Sequence, residues 1–156
     1  IGYSVDPSQV SDKDGISAAL LAIELMDWAK GENKTLISIL DEIYAQFGLH
    51  LTKQVSIRLA DIKIAKNKLD ELIANPPKQI GSEAVISVSD MSKGFNGLAA
   101  SAGIFLQLDR ARVIVRPSGT EPKIKCYAEV IGEINQKSQA EKRLSELALA
   151  MQGYLT

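Results

Sequence analysis

Hydrophobic periodicity changes character partway along this chain, and that change restricts the fold more than any other feature. Up to about residue 50 the apolar residues recur at helical spacing, whereas beyond about residue 85 they alternate with polar ones. The cleanest alternation is Ile124, Cys126, Ala128 and Val130, separated by Lys125, Tyr127 and Glu129. That pattern describes a strand with one face on a core and the other in water. Helices first and alternating strands afterwards predict an α+β chain, with an antiparallel sheet covered by helices on one face.

The helical half reads as a hairpin. Asp12 or Asp14 offers an N-cap, and the run from Ile16 to Ala29 contains neither Pro nor Gly before Gly31. Ile16, Ala19, Leu20, Ile23, Leu25, Met26 and Trp28 leave few polar gaps, so burial on most faces is expected. Thr35 caps a second helix carrying Leu36, Leu40, Ile43 and Phe47, and Gly48 ends it. Two such helices cannot bury both faces alone, and a sheet beneath them is expected. Residues 51–60 alternate weakly and read as a strand or connector, taken as a linker between a first part, 1–50, and a second, 61–156. Asp61 caps a third helix with Ile62, Ala65, Leu69 and Leu72 in register, and Asn75-Pro76-Pro77 stops it.

The second part holds the strands. Val85 to Asp90 predicts a short strand and 92–103 a glycine-containing loop. Ile104, Leu106 and Leu108, then Val113 and Val115 across a tight Asp109-Arg110-Ala111 connection, predict a hairpin. Ser138-Gln139-Ala140-Glu141 reads as a capping box for a last helix with Ala140, Leu144, Leu147, Ala148 and Met151 on one face.

Composition excludes several classes. Eighteen Lys+Arg against nineteen Asp+Glu leave a formal net charge of −1, which argues against a global grip on nucleic acid or anionic membrane. The 46% hydrophobic content suffices for a packed core. One cysteine excludes an internal disulfide and a cysteine-based zinc site. No apolar run is long enough to span a membrane, and a cytoplasmic location is expected. Cys126 reads as a small buried hydrophobe, His50 as a solvated or capping residue, and Trp28 and Met26 as core.

The segment Arg116-Pro117-Ser118-Gly119-Thr120-Glu121-Pro122-Lys123, between two expected strands, carries the chemistry. Arg116 offers a planar fork that matches two phosphate oxygens. Ser118 and Thr120 supply hydroxyl donors. Gly119 permits a positive φ, which would let successive N–H groups converge on an anion. The two prolines stiffen the loop, and Lys123 adds a point charge. The same residues also compose an ordinary turn. No nucleophile or general base is evident, so the loop reads as a clamp, with no catalytic residue and no metal ligand set in the chain.

Residues 112–130, RVIVRPSGTEPKIKCYAEV, resemble the C-terminal phosphate-binding motif of the α-D-phosphohexomutase superfamily, which includes phosphoglucomutases, phosphomannomutases and phosphoglucosamine mutases. Residues 11–19, SDKDGISAA, resemble the helix start near the end of that family's third domain, and Ile1-Gly2-Tyr3 the tail of its sugar-recognition loop. The form of both segments is similar to the phosphoglucomutase/phosphopentomutase branch.

The resemblance implies that residues 1–50 end domain 3 and that 61–156 form domain 4, a fold like that of the TATA-box-binding protein. It implies a parent enzyme that interconverts sugar 1- and 6-phosphates, or pentose 1- and 5-phosphates, through a phosphoserine and a bisphosphate intermediate that also serves as activator. Arg116, Ser118, Gly119, Thr120 and Lys123 would grip the non-reacting phosphate, and Gly2, Tyr3 and Lys13 would neighbour the sugar. The partners implied are a phosphosugar and N-terminal domains preceding Ile1. Mg²⁺ is implied for the parent and not for this chain, which contains neither the family's serine motif nor its aspartate-rich loop. The chain is therefore expected to bind without catalysing. A stand-alone module of the same fold, binding anions or a protein, is the alternative.

Overall fold

The computed structural model describes residues 4–156, so Gly2 and Tyr3 lie outside the described residues. The chain divides into two compact units, the first ending at Phe47 and the second running Gly48–Thr156. Of the two readings of 51–60, strand or connector, the structure shows strand, over Leu49–Arg58, and the division falls before it.

In the first unit α1 spans Gly15–Gly31 and α2 spans Leu36–Phe47. Asp14 is the N-cap of α1: its carboxylate accepts from the N–H groups of Ile16 at 3.1 Å and Ser17 at 2.8 Å. Thr35 and Ser38 cap α2 reciprocally, each side-chain oxygen accepting the other's backbone N–H at 3.0 Å. The expected burial of α1 is not observed. Only Ala29 is buried, whereas Ile16, Leu20, Ile23, Met26 and Trp28 are exposed. The reason is supply: the described residues of this unit form no strand, so no sheet covers the apolar helix.

The second unit is a five-stranded antiparallel sheet with two helices. Its strands are β1 (Leu49–Arg58), β4 (Ser87–Asp90), β5 (Ile104–Leu108), β6 (Ala111–Pro117) and β7 (Lys123–Gly132), in the order β1-β7-β6-β5-β4. A two-stranded ribbon, β2 (Gln79–Ile80) with β3 (Glu83–Ala84), stands apart from it. Strand β1 pairs with β7 over ten consecutive residues, from Leu49 opposite Gly132 to Arg58 opposite Lys123. Weak alternation hid this strand because Lys53 occupies a core-side position, opposite Ala128, where its ammonium reaches out to Ser145 of the last helix at 3.4 Å.

Helices α3 (Ile62–Ala74) and α4 (Lys137–Leu155) both pack on this sheet. One face of the sheet supplies Ile104, Leu106, Leu108, Ala111, Val113, Val115, Ile124, Cys126, Ala128 and Val130, all at most 2% exposed. The helices answer with Ala65, Leu69 and Leu72, and with Ala140, Leu144, Leu147, Ala148, Met151 and Leu155. Asp61 caps α3, accepting from Ile64 N–H at 2.9 Å. The capping box expected at Ser138 does not form. Helix α4 starts two residues earlier, with Gln136 at the N-cap position after a 3₁₀ turn at Ile134–Gln136, and no side chain caps it. Arg143 donates to Glu83 with Nε at 2.8 Å and to the carbonyl of Asp109, joining α4 to the ribbon and to the β5–β6 turn.

Two outcomes test this packing. Truncating Leu106→Ala removes a fully buried side chain from an inner strand and is expected to lower unfolding free energy by about 2–5 kcal/mol in urea titration. Burial pushes the Cys126 thiol up to about 12, so a thiol reagent at neutral pH should react only on unfolding, and rapid labelling of the native chain would contradict the core assignment.

Candidate functional site: the loop between β6 and β7

Adjacent antiparallel strands need a reversal, and here it is the sequence Ser118–Pro122 between β6 and β7. Ser118 N–H donates to the carbonyl of Lys123 at 2.8 Å and closes the loop at its base. Lys123 N–H donates to the carbonyl of Glu121 at 2.7 Å, and Glu121 N–H to Ser118 Oγ at 3.3 Å. From outside the loop, Leu59 N–H donates to the carbonyl of Pro122 at 2.8 Å, tying the end of β1 to it. The backbone is thereby held without any ligand.

What this framework leaves unused is donors. The N–H groups of Gly119 and Thr120 donate to no group among the described residues, and both residues are exposed. The hydroxyl of Ser118 only accepts, so its proton is free to donate. Arg116 is exposed, with its guanidinium in no ion pair or hydrogen bond among the described residues. Arg116, Ser118, Gly119 and Thr120 thus leave five donors, three side-chain and two backbone, without an acceptor among the described residues. An oxyanion is the chemical complement of such a set.

Two sequence expectations are corrected. Gly119 does not take a positive φ; the described glycines that do are Gly48, Gly81, Gly94 and Gly97. A Cβ at Gly119 would meet nothing within 4 Å, so neither backbone nor neighbours require glycine there in this conformation. Lys123 is not a free point charge either, because its ammonium donates to Glu121 Oε1 at 2.8 Å. That bond is the first cause holding the Glu121 carboxyl below its ordinary value, reinforced by the fields of Lys123, Arg58 and Lys125. Lys13 belongs to the first unit, where its ammonium pairs with Asp12 at 2.8 Å on an exposed surface.

Register brings in two cations that sequence reasoning missed. Arg116 of β6 stands directly opposite Lys125 of β7, and Arg58 of β1 directly opposite Lys123. All four lie on the sheet face away from the helices, because the alternating partners Ile124 and Cys126 are buried. The alternation of β7 announced Lys125; Arg58 needed the pairing of β1, which its own pattern signals weakly.

A second polar cluster lies on the same face. The carboxylate of Glu129, 8% exposed, accepts from Arg112 and meets His50 Nδ1 at 2.7 Å. His50 is exposed, as expected, and also hydrogen-bonds Glu129, a contact spanning 79 positions that no local pattern carries. Among the described residues no three His, Cys, Asp or Glu side chains gather to hold a metal ion, and no helix is long and apolar enough to cross a membrane.

Comparison with known proteins finds similarity over a segment that contains the loop. Residues 88–146 match the family Phosphoglucomutase/phosphomannomutase, C-terminal domain. The chain is 37% identical over 146 residues to a probable phosphomannomutase of Haemophilus influenzae, covering 94% of this chain and 29% of that protein. It is 30% identical over 171 residues to phosphopentomutase of Homo sapiens, covering 97% and 28%. It is 29% identical over 170 residues to glucose 1,6-bisphosphate synthase of Homo sapiens, covering 97% and 27%. The chain therefore spans less than a third of the length of these relatives.

The Glu121–Lys123 pair yields a pH prediction. A depressed carboxyl stabilises the folded loop fully above its ordinary value of 4.5, and the contribution is lost as pH falls through the lower folded value. NMR titration of the Glu121 carboxyl should give a midpoint below 4.5, and Lys123→Gln should move it upward.

Proposed function

We propose that this chain is the phosphate-gripping part of a longer sugar-phosphate mutase, a reading supported by the match of residues 88–146 to the phosphoglucomutase/phosphomannomutase C-terminal domain family. In this reading Arg116 binds two phosphate oxygens through its guanidinium fork. The hydroxyls of Ser118 and Thr120 and the N–H groups of Gly119 and Thr120 complete the grip on the phosphate that does not react. Lys123 contributes chiefly by neutralising Glu121, which keeps a carboxylate from repelling the ligand.

The role is orientation. Holding one end of a phosphosugar brings its other end in line with a phosphoserine supplied elsewhere in the longer protein, so remote binding energy supports the transfer. A sugar bisphosphate formed there would have to release, turn and bind again by its other phosphate. An open loop with preorganised backbone suits both gripping and letting go. The Mg²⁺ implied for the longer enzyme has no carboxylate cluster among the described residues, and its ligands would come from the other domains. Interconversion of hexose 1- and 6-phosphates, or of pentose 1- and 5-phosphates, is the activity proposed for the whole.

The observation that carries the reading is the unpaired donor set of Arg116, Ser118, Gly119 and Thr120 at the tip of a loop already closed by its own hydrogen bonds. In the full-length enzyme Arg116→Ala is expected to lower kcat/KM by roughly 10–150-fold, the worth of losing a charged hydrogen bond at about 1.5–3 kcal/mol. Phosphorylation of the catalytic serine should survive. Turnover near wild type in that variant would remove Arg116 from the role.

A further inference from the structure

The cross-strand register places like charges side by side at one end of the sheet. Residues directly opposite in an antiparallel pair have Cβ atoms about 4.5–5.5 Å apart, and like charges there are destabilising. Two such pairs occur together, Arg116 with Lys125 and Arg58 with Lys123. Among the described residues, only Lys123 of these four cations is in an ion pair, with Glu121. Among the described residues Arg58, Arg116 and Lys125 therefore have no ion-pair partner on this face, and the one carboxylate within reach of their fields, Glu121, is already engaged by Lys123. Elsewhere on that same face the arrangement is the opposite: Arg112 and His50 flank the carboxylate of Glu129.

Arg58 and Lys125 are also held where they could serve the loop. Lys125 lies two residues after Lys123 on the same strand face and is half-buried. Arg58 ends β1, one residue before the N–H of Leu59 that donates to Pro122 of the loop. Both are near enough to the loop for their fields to depress the Glu121 carboxyl. Uncompensated charge at a fixed geometry costs stability unless an anion supplies the missing charge.

We propose that Arg58 and Lys125 are further phosphate-positioning residues, extending the loop's grip across β1 and β7 so that the site takes a dianionic phosphate monoester. The inference rests on the reading of the Arg116–Lys123 loop as a phosphate clamp and adds two residues from outside it. The loop donors hydrogen-bond the phosphate oxygens, while Arg58 and Lys125 supply balancing charge along the sheet face. Their contribution is largely coulombic and weakens with salt.

The test titrates the 156-residue chain with methyl phosphate and follows the amide signals of Gly119 and Thr120 by NMR. Wild type should show saturable shifts. Arg58→Gln and Lys125→Gln should each weaken binding about three- to tenfold, with thermal stability of the free chain equal to or above wild type. Lys125→Arg should restore affinity to within about twofold of wild type, because it keeps the charge. If Arg116→Ala weakens binding while Arg58→Gln and Lys125→Gln leave it unchanged, this inference fails and the clamp reading stands. If methyl phosphate moves neither amide in wild type, both fail. Should Arg58→Gln lower the melting temperature, Lys125→Gln alone decides, since Lys125 lies within β7 and makes no ion pair among the described residues.

Discussion

The ten-residue pairing of β1 with β7 is the constraint on which the second unit depends. It joins an element before α3 to one after the β5–β6 hairpin, and so closes the sheet over the core. Its ends are determined by packing. At one end Gly132 sits opposite Leu49, where a Cβ would meet the Cβ of Ala140 at 3.0 Å, so α4 approaches the sheet as closely as glycine allows. At the other end Arg58 meets Lys123, and the next residue donates to the loop. A slip of one residue would turn Leu51, Val55 and Ile57 away from the core and carry Arg58 to the wrong face.

From that pairing the site follows by short steps. Strand β7 buries Ile124 and Cys126 under the helices, which sends Lys123 and Lys125 to the open face. The register with β6 then sets Arg116 beside Lys125. The loop between β6 and β7 is closed by hydrogen bonds of its own backbone, and the donors left over point to an oxyanion as ligand. The same open face carries the Arg112–Glu129–His50 cluster, where opposite charges meet and satisfy one another. The Arg112–Glu129 contact is paired, whereas Arg58, Arg116 and Lys125 have no ion-pair partner among the described residues.

The two units differ in how complete they are. The second buries its apolar residues between one sheet face and two helices. The first presents Ile16, Leu20, Ile23, Met26 and Trp28 to solvent, because a helical hairpin has no third layer of its own. The hydrophobicity of α1 was legible from its residues; that the described residues supply nothing to cover it was not.

Local signals were sufficient for much of this protein. The caps at Asp14, Thr35 and Asp61, the stop at Pro76-Pro77, the alternation of β7 and the apolar stripe of α4 are each written within a few neighbouring residues. The identity of the loop was also local, because Arg116 to Lys123 are contiguous and their donor chemistry is intrinsic. Contacts between distant segments depended on the tertiary structure. That residues 49–58 form a strand, that His50 meets Glu129, that Arg143 reaches Glu83, and that Arg58 and Lys125 flank the loop all depend on register. The capping box at Ser138 and the positive φ of Gly119 were permitted by residue type and not selected by the fold. Residue type states which hydrogen bonds and dihedrals are available, but only the packed chain decides which of them lowers the free energy of the whole.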